Sequence, residues 1–447
     1  MSSSNSSRRS FLKKSMIASA GIAVVPTILT SCSKWKGAND RVNVAHIGVG
    51  GRGRSTTTHY FLPVKDSRSV AVCDPFASRR NNFAKAIEAH YLKDFDEKLE
   101  CKAYLEFEEI LERDDLDAVH ISTGDYWHLP IAIKAARAGK HIYCEKPLGL
   151  SLDNMLLLEK EASKHKVHFH YGTQQRSLTH CQKGIEMVRN GRLGEISNVD
   201  VWAPQGGGLP VKPEDTNMPA GFDLDRWCGP APLSEYSFAR CQASTGAWHN
   251  YDYAIGFLAG WGAHPLDIAV WGIKEKIRGL ANHKGTGIMF PEGMLFNTVA
   301  SWDMDIEYMN GFKMHFMSTD LAKPTVSKYL PDHAGDGTAF HGEKGWISIS
   351  RGQIASNIPE IHNELNVGVT GENGKHGDNF IKTIKGEIDE IAPLEDAILS
   401  DCISHMGNIA IRSGQEVKWD AKKRKFPDAP ELENQYFHRE LRKPYTI

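Results

Sequence analysis

The chain has 447 residues, with 53 basic and 55 acidic side chains and a formal net charge of −2. That balance gives no basic footprint for phosphates and argues against nucleic acid as a partner. The length suggests two domains, each able to bury a core.

At the N-terminus, Ser7-Arg8-Arg9-Ser10-Phe11-Leu12-Lys13 reads as a twin-arginine export signal, which carries a folded chain through the twin-arginine machinery. Met16 to Thr30 is mostly apolar but holds Gly21, Pro26 and several Ser/Thr. A spanning helix needs roughly 20 strongly apolar residues, so this is a signal core and not a span. Leu29-Thr30-Ser31-Cys32 looks like a lipobox. Residues 1–31 are therefore expected to be removed, Cys32 lipidated, and 32–40 left as a polar tether. A plain signal peptide with an incidental Cys32 is the alternative. Without the four basic residues of the leader, 49 basic side chains face 55 acidic ones, net −6. The expected location is the periplasmic side, with a membrane reached through the lipid anchor only.

Eight cysteines include no CxxC pair, and removal of Cys32 from the count leaves an odd seven. No disulfide framework is expected, which suits folding in a reducing compartment before export.

From residue 41, strands alternate with helices. Val42–Ile47, Arg68–Cys73, Asp117–Ser122, His141–Cys144 and Val167–Tyr171 are short apolar runs. The segments between them carry helical spacing, and Ser151 is placed to cap a helix running to about Lys164. This alternation predicts right-handed crossovers and a doubly wound parallel sheet. Between the first strand and first helix stands Gly48-Val49-Gly50-Gly51-Arg52-Gly53, with Asp74 21 residues beyond Gly53 at the end of the second strand. In a dinucleotide-binding turn, Gly48 permits the bend, Gly50 lets backbone approach a diphosphate, and Gly53 lets helix and strand pack closely. Asp74 would accept from ribose hydroxyls and repel a 2′-phosphate. The expected cofactor is NAD, with NADP disfavoured, although Arg79 and Arg80 soften that preference.

After 175 the pattern changes. Apolar stretches near Ile196–Trp202, Gly293–Met304 and Tyr308–Met317 are β-rich and not separated by helices, which suggests a mostly antiparallel sheet. Residues 206–229 read as a long irregular loop, Asp401–Ser413 as helical, and 431–447 as a polar tail. The fold expected is α/β: a Rossmann domain over 41–175, then an α+β domain over 176–447 built on a large, mostly antiparallel open sheet.

Glu145-Lys146-Pro147 follows directly after the strand ending at Cys144. Ligands of open α/β sheets bind beyond the carboxyl ends of strands, so Lys146 falls near the nicotinamide end. An ammonium there orients a substrate hydroxyl and eases its deprotonation. The glycine turn, Asp74, Glu145-Lys146-Pro147 and the antiparallel second half together resemble the Gfo/Idh/MocA oxidoreductase family, in its twin-arginine-exported lipoprotein branch. Gly172-Thr173-Gln174-Gln175-Arg176, Asp225-Arg226-Trp227 and Trp261-Gly262-Ala263-His264-Pro265-Leu266-Asp267 are further family-like stretches.

The resemblance implies a Rossmann domain plus a sheet domain whose open face carries substrate, and a homo-oligomer. It implies sugar, inositol or polyol substrates, an active-site lysine at Lys146 and a cis Pro147. Many members carry an Asp four residues before the equivalent of His264; here that position is Gly260. His264 is still expected to act as general base or acid, with Asp267 placed to orient it and a structural role for Asp267 equally open. The expected dinucleotide contacts are Gly48, Gly50, Gly51, Arg52, Gly53, Asp74, Glu145 and Lys146. The expected substrate contacts are Gln174, Arg176, Trp248, Tyr251, Tyr253 and Asp267. No metal is expected: His168 and His170 share a strand face but lack a third ligand.

The function expected is oxidation of a carbohydrate or glycoside hydroxyl to a keto sugar, by an exported enzyme that holds NAD tightly. A redox-neutral NAD-dependent glycosidase, as in another branch of the family, is the main alternative. A sugar-binding lipoprotein without catalysis, prompted by Gly260, is the third.

Overall fold

The computed structural model describes residues 41–207, 217–242, 246–329, 335–365 and 375–447. The leader, Cys32 and the tether lie outside the described residues.

Six parallel strands form the first sheet: β1 (Val42–Ile47), β2 (Ser67–Cys73), β3 (Lys102–Tyr104), β4 (Ala118–Ile121), β5 (His141–Cys144) and β6 (Phe169–Tyr171). Their order is β3-β2-β1-β4-β5-β6, the doubly wound arrangement with its switch point between β1 and β4. The edge strand β3 is three residues long and half exposed, which is why no apolar run announces it.

Alternation along these strands gives the sheet two unlike faces. Ala45, Ile47, Val119, Ile121, Ile142 and Cys144 pack with Phe107, Ile110, Leu129 and Met155 of the helices on one side. The other face carries a cross-strand row, one residue per strand: His46, His120, Tyr143 and His170, in register. Neighbouring rings in the row lie 5.2–5.5 Å apart, and Phe61 lies within 5.0–5.3 Å of the first three. Phe380, from the helix Lys375–Lys385, covers the Tyr143 and His170 end. His46 faces His120 at 3.1 Å through their Nδ1 atoms and Ser69 Oγ at 2.8 Å. His168 and His170 therefore share no site. His168 bonds Glu390 and stacks on His141, whereas His170 sits in the buried row.

The second sheet has eight strands in the order β13-β12-β11-β7-β10-β9-β8-β14. They are β7 (Ile196–Ala203), β8 (Leu280–Met289), β9 (Val299–Tyr308), β10 (Lys313–Ser318), β11 (Gly337–Gly342), β12 (Gly345–Ile349), β13 (Ile354–Ser356) and β14 (Val417–Asp420). Only β10 and β7 pair parallel; the other pairs are antiparallel. In β9, Trp302, Met304, Ile306 and Tyr308 are buried, and Asp303, Asp305 and Glu307 alternate outward. That period of two sets the packed face toward the helices Ala263–Ile277 and Leu394–Ser413.

Three local expectations need correction. Ser151 flanks the helix Leu152–His165, but its hydroxyl turns to the Asp153 carboxylate and does not cap a backbone N–H of the helix. The segment near 224 is not wholly irregular, because Leu224–Cys228 is a short helix capped by Asp223, whose carboxylate accepts from Arg226 N. The terminal tail is not free either. It contains the helix Pro430–Tyr436, and Arg442 and Tyr445 both bond Asp225. Cysteines 73, 101, 144, 181, 228, 241 and 402 are buried and free.

Burial holds the row neutral: it lowers His46 to about 3, and it lowers His376, packed beside the row, to about 4. Unfolded histidine titrates near 6.5. The unfolded chain thus binds more protons once the pH drops below that value, and stability is lost as pH falls toward the folded values. Thermal melts are expected to fall progressively between about pH 6.5 and 4, because the buried histidines with lowered pKa values outnumber Asp125 and Asp401, which are lifted to about 7 and act in the opposite sense. A melting temperature flat across that interval would contradict the buried neutral row.

Candidate active site

The crevice at the switch point begins where β1 ends. Gly48 has φ +85°, and a Cβ there would lie 2.5 Å from the Ser122 carbonyl oxygen. A Cβ on Gly53 would lie 1.9 Å from the carbonyl oxygen of Gly48. Both positions exclude any side chain. Gly50 and Gly51 differ: a Cβ on Gly51 meets nothing within 4 Å, and on Gly50 only the tip of Arg79 at 3.6 Å. These two therefore present bare backbone to open space at the start of a helix, where N–H groups favour an anion.

That space is a cleft of about 480 Å³, within the usual range for ligand sites. Asp74, Ser122, Arg226 and Trp248 line it, and so does Tyr445 from the C-terminal tail. Asp74 is buried and accepts from Val49 N at 3.0 Å and Phe76 N at 2.8 Å. Burial pushes its carboxyl up, against the pull of those two donors and of Arg79 and Arg80. A carboxylate has about four acceptor positions, so it retains capacity toward a ligand in the cleft. Glycine turn, oriented carboxylate and cleft size fit a dinucleotide.

At the far end stands Lys146, 7% exposed, on the segment directly after β5. Its ammonium donates to the Gly260 carbonyl at 2.6 Å and lies 4.6 Å from the Trp248 ring centroid. Burial lowers its pKa to about 8, partly offset by Glu145 and Asp125. Glu145 accepts from Arg52 Nε at 2.9 Å and from Thr56 Oγ1 at 3.2 Å. Burial pushes Glu145 up, but Arg52 and Lys146 more than reverse this, so it stays below the usual range. The Lys146–Pro147 bond is cis.

His264 opens the helix Ala263–Ile277 and is 2% exposed. Its ring lies 5.8 Å from the Trp261 ring, which in turn is 6.0 Å from Lys146 Nζ. Burial holds His264 well below its ordinary value, and Arg351 and Lys146 push the same way, so the ring is neutral. Its buried Nδ1 has no protein partner among the described residues. Trp261 thus joins Lys146 and His264 across one aromatic surface.

The remaining expectations separate. Trp248 lines the cleft and donates Nε1–H to Asp125 at 3.2 Å. Gln174 is 8% exposed with a buried, unpartnered Oε1. Arg176 and Asp267 take each other's functional groups, with Nε and Nη2 each 2.7 Å from a carboxylate oxygen, and Asp396 adds a contact at 2.9 Å. Asp267 therefore does not orient His264, and the pair is buried away from a ligand. Tyr251 is sandwiched between Arg412 and Arg439, 3.5 and 4.5 Å from their guanidinium carbons. Tyr253 is buried, its hydroxyl bonded to Ser234 and the Pro232 carbonyl. His376 bonds Ser177 Oγ and the Tyr171 carbonyl behind the site.

Two carboxylates escaped the sequence reading. Asp125 follows Ser122-Thr123-Gly124 at the carboxyl end of β4, and that position after the switch-point strand was the available signal. Burial lifts it to about 7, although Lys146 pulls it down. Asp401 lies 253 residues from Leu148, whose N–H it accepts at 2.6 Å; it also accepts from Tyr171 Oη at 2.7 Å. No local pattern announces that contact.

Residues 42–173 match the oxidoreductase family with an NAD-binding Rossmann fold, Gfo/Idh/MocA. The chain is 30% identical over 214 residues to a glycosyl hydrolase family 109 protein of Saccharopolyspora erythraea, covering 42% of this chain and 44% of the relative. It is 32% identical over 152 residues to a myo-inositol 2-dehydrogenase of Thermotoga maritima, covering 33% of this chain and 42% of the relative. The chain thus spans less than half the length of these relatives. In fold it is similar to the WlbA dehydrogenase of Bordetella pertussis, solved with NADH and UDP-GlcNAcA: TM-score 0.63, 14% identity, 85% of this chain and 98% of that one. Over residues 42–173 the chain is thus similar to the NAD-binding Rossmann fold of the Gfo/Idh/MocA oxidoreductase family, and the WlbA dehydrogenase shares its fold.

Proposed function

We propose that the chain is an NAD-dependent oxidoreductase that oxidises a hydroxyl of a carbohydrate or glycoside to a ketone. The observation that carries this reading is the buried ammonium of Lys146 at the end of the dinucleotide cleft, sharing the Trp261 ring with a neutral His264 whose Nδ1 has no partner among the described residues. NAD, when bound, supplies the hydride acceptor. Gly50 and Gly51 offer backbone to its diphosphate and Asp74 accepts from its ribose. Lys146 donates to the substrate hydroxyl and stabilises the oxygen as it loses its proton. His264 accepts that proton, since a neutral imidazole with a free ring nitrogen is a base. The Trp248 and Trp261 rings give apolar surface for a sugar face.

A second reading rests on the similarity to a protein named as glycosyl hydrolase family 109. In it the same hydride transfer is transient, and the chain cleaves a glycoside without net oxidation. The leader and lipobox motifs support export by the twin-arginine route and anchoring at Cys32, with NAD loaded before export and retained.

Lys146→Ala is expected to lower kcat by about 10²–10⁴ with the NADH dissociation constant little changed. Product analysis on the wild type decides between the two readings. A keto sugar with stoichiometric NADH supports oxidation, and released aglycone with no net NADH supports the glycosidase. Undiminished turnover in the variant would remove Lys146 from the chemistry. Asp74→Ala is expected to weaken NAD binding and narrow the NAD-to-NADP affinity ratio; titration of both dinucleotides checks it, and an unchanged ratio would take Asp74 out of the ribose site. Cys32→Ala is expected to move the protein from the membrane to the soluble fraction, and a variant that still sediments with membranes would contradict lipidation.

A further inference from the structure

Arg351 occupies the turn between β12 and β13, outside every residue assigned above. The turn is fixed: the Ser350 carbonyl accepts from His180 Nε2 at 3.0 Å, and Ser350 N donates to the Gln353 carbonyl at 2.8 Å. The guanidinium lies 5.2 Å from the Trp261 ring, the same ring that adjoins Lys146 and His264. It therefore stands at the substrate end of the site.

Its Nε and Nη2 are buried, and neither has a hydrogen-bond partner among the described residues. The nearby acid does not consume them. Asp336 feels the Arg351 charge, but its carboxylate accepts from Gln175 Nε2 at 2.9 Å and makes no ion pair with Arg351 among the described residues. Nε and Nη2 form the side-on edge of the guanidinium, two parallel donors that match the two oxygens of a carboxylate. This molecule sets that edge on both oxygens of a carboxylate elsewhere, from Arg176 to Asp267 and from Arg113 to Asp115. Beside Arg351 the same edge is made and left open. Gln174 and Gln175 each leave a buried Oε1 without a partner, acceptors that suit hydroxyl donors. An open carboxylate fork, linked through Asp336 to the open acceptor of Gln175, complements a polyhydroxylated anion better than a neutral sugar.

We propose that Arg351 binds a carboxylate carried by the substrate, so that the sugar oxidised here is an acidic one of the hexuronate class. This rests on the oxidoreductase reading for the reaction but not for the binding. Lys146 engages the reacting hydroxyl, and Arg351, which adjoins the same Trp261 ring, fixes another end of the same molecule. Two anchored ends set which ring carbon faces the nicotinamide.

The test uses the full chain loaded with NAD. Calorimetry compares D-glucuronate and D-galacturonate with D-glucose, D-galactose and glucose 6-phosphate, on the wild type and on Lys146→Ala, where binding is read without turnover. The uronates are expected to bind at least about tenfold more tightly than the neutral hexoses. Arg351→Met is expected to bring that ratio near one at unchanged melting temperature and NADH affinity. Arg351→Lys should keep part of it, as a point charge without the fork. Equal binding of uronates and neutral hexoses by the wild type would overturn the proposal, as would a preference that survives Arg351→Met, or tight binding of the sugar phosphate alone. Failure of the oxidoreductase reading looks different: uronates bind with the Arg351-dependent preference, yet the wild type produces neither NADH nor cleaved product.

Discussion

A buried ammonium sets the terms for the rest of the site. Lys146 is largely withdrawn from water, and an unpaired charge there would be strongly destabilising or would neutralise. Its surroundings supply partial compensation without full pairing. Gly260 gives a carbonyl, Trp248 an aromatic face, and Glu145 and Asp125 negative potential. Glu145 is in turn committed to Arg52 and Thr56. The lysine is thus kept cationic near neutrality but loosely enough to exchange protons, which is the state a hydroxyl-activating group needs.

Holding that ammonium in place requires the segment after β5 to be rigid, and the rigidity comes from far along the chain. Asp401, on the helix Leu394–Ser413, accepts from Leu148 N and Tyr171 Oη. The same helix contributes Asp396 to the buried cluster of Arg176 and Asp267. One helix of the second domain therefore braces both the lysine segment and the helix that carries His264. Breaking one side of a buried ion pair of this kind costs about 3–5 kcal/mol, so these acids act on the chemistry through position.

The doubly wound half was legible because its signals are local. The glycine turn, Asp74 and Lys146 lie at strand ends, and strand ends can be found from apolar runs a few residues long. The second sheet was legible as a class but not strand by strand, since β11 to β14 are short and the pairing of β11 and β14 is decided by partners up to 146 residues away. The misplacements share a cause. Arg176, Asp267 and Tyr253 are polar residues in family-like or aromatic stretches, and a sequence does not show that each is consumed by another buried group. His46, His120 and His170 are the opposite case, polar by type yet part of the core.

Gly260 gains meaning from the charges around it. A Cβ there would meet only the Trp248 ring, at 4.0 Å, so space alone does not forbid a side chain. Glycine places no carboxylate beside Lys146 at this position, and the Gly260 carbonyl accepts a hydrogen bond from the ammonium. Burial holds His264 neutral, and Arg351, Lys146 and Arg52 act on it in the same sense. The same positive field favours an anion beside Trp261. The neutral His264 and the open fork of Arg351 thus share one electropositive setting, and a substrate carrying its own carboxylate would balance it on binding.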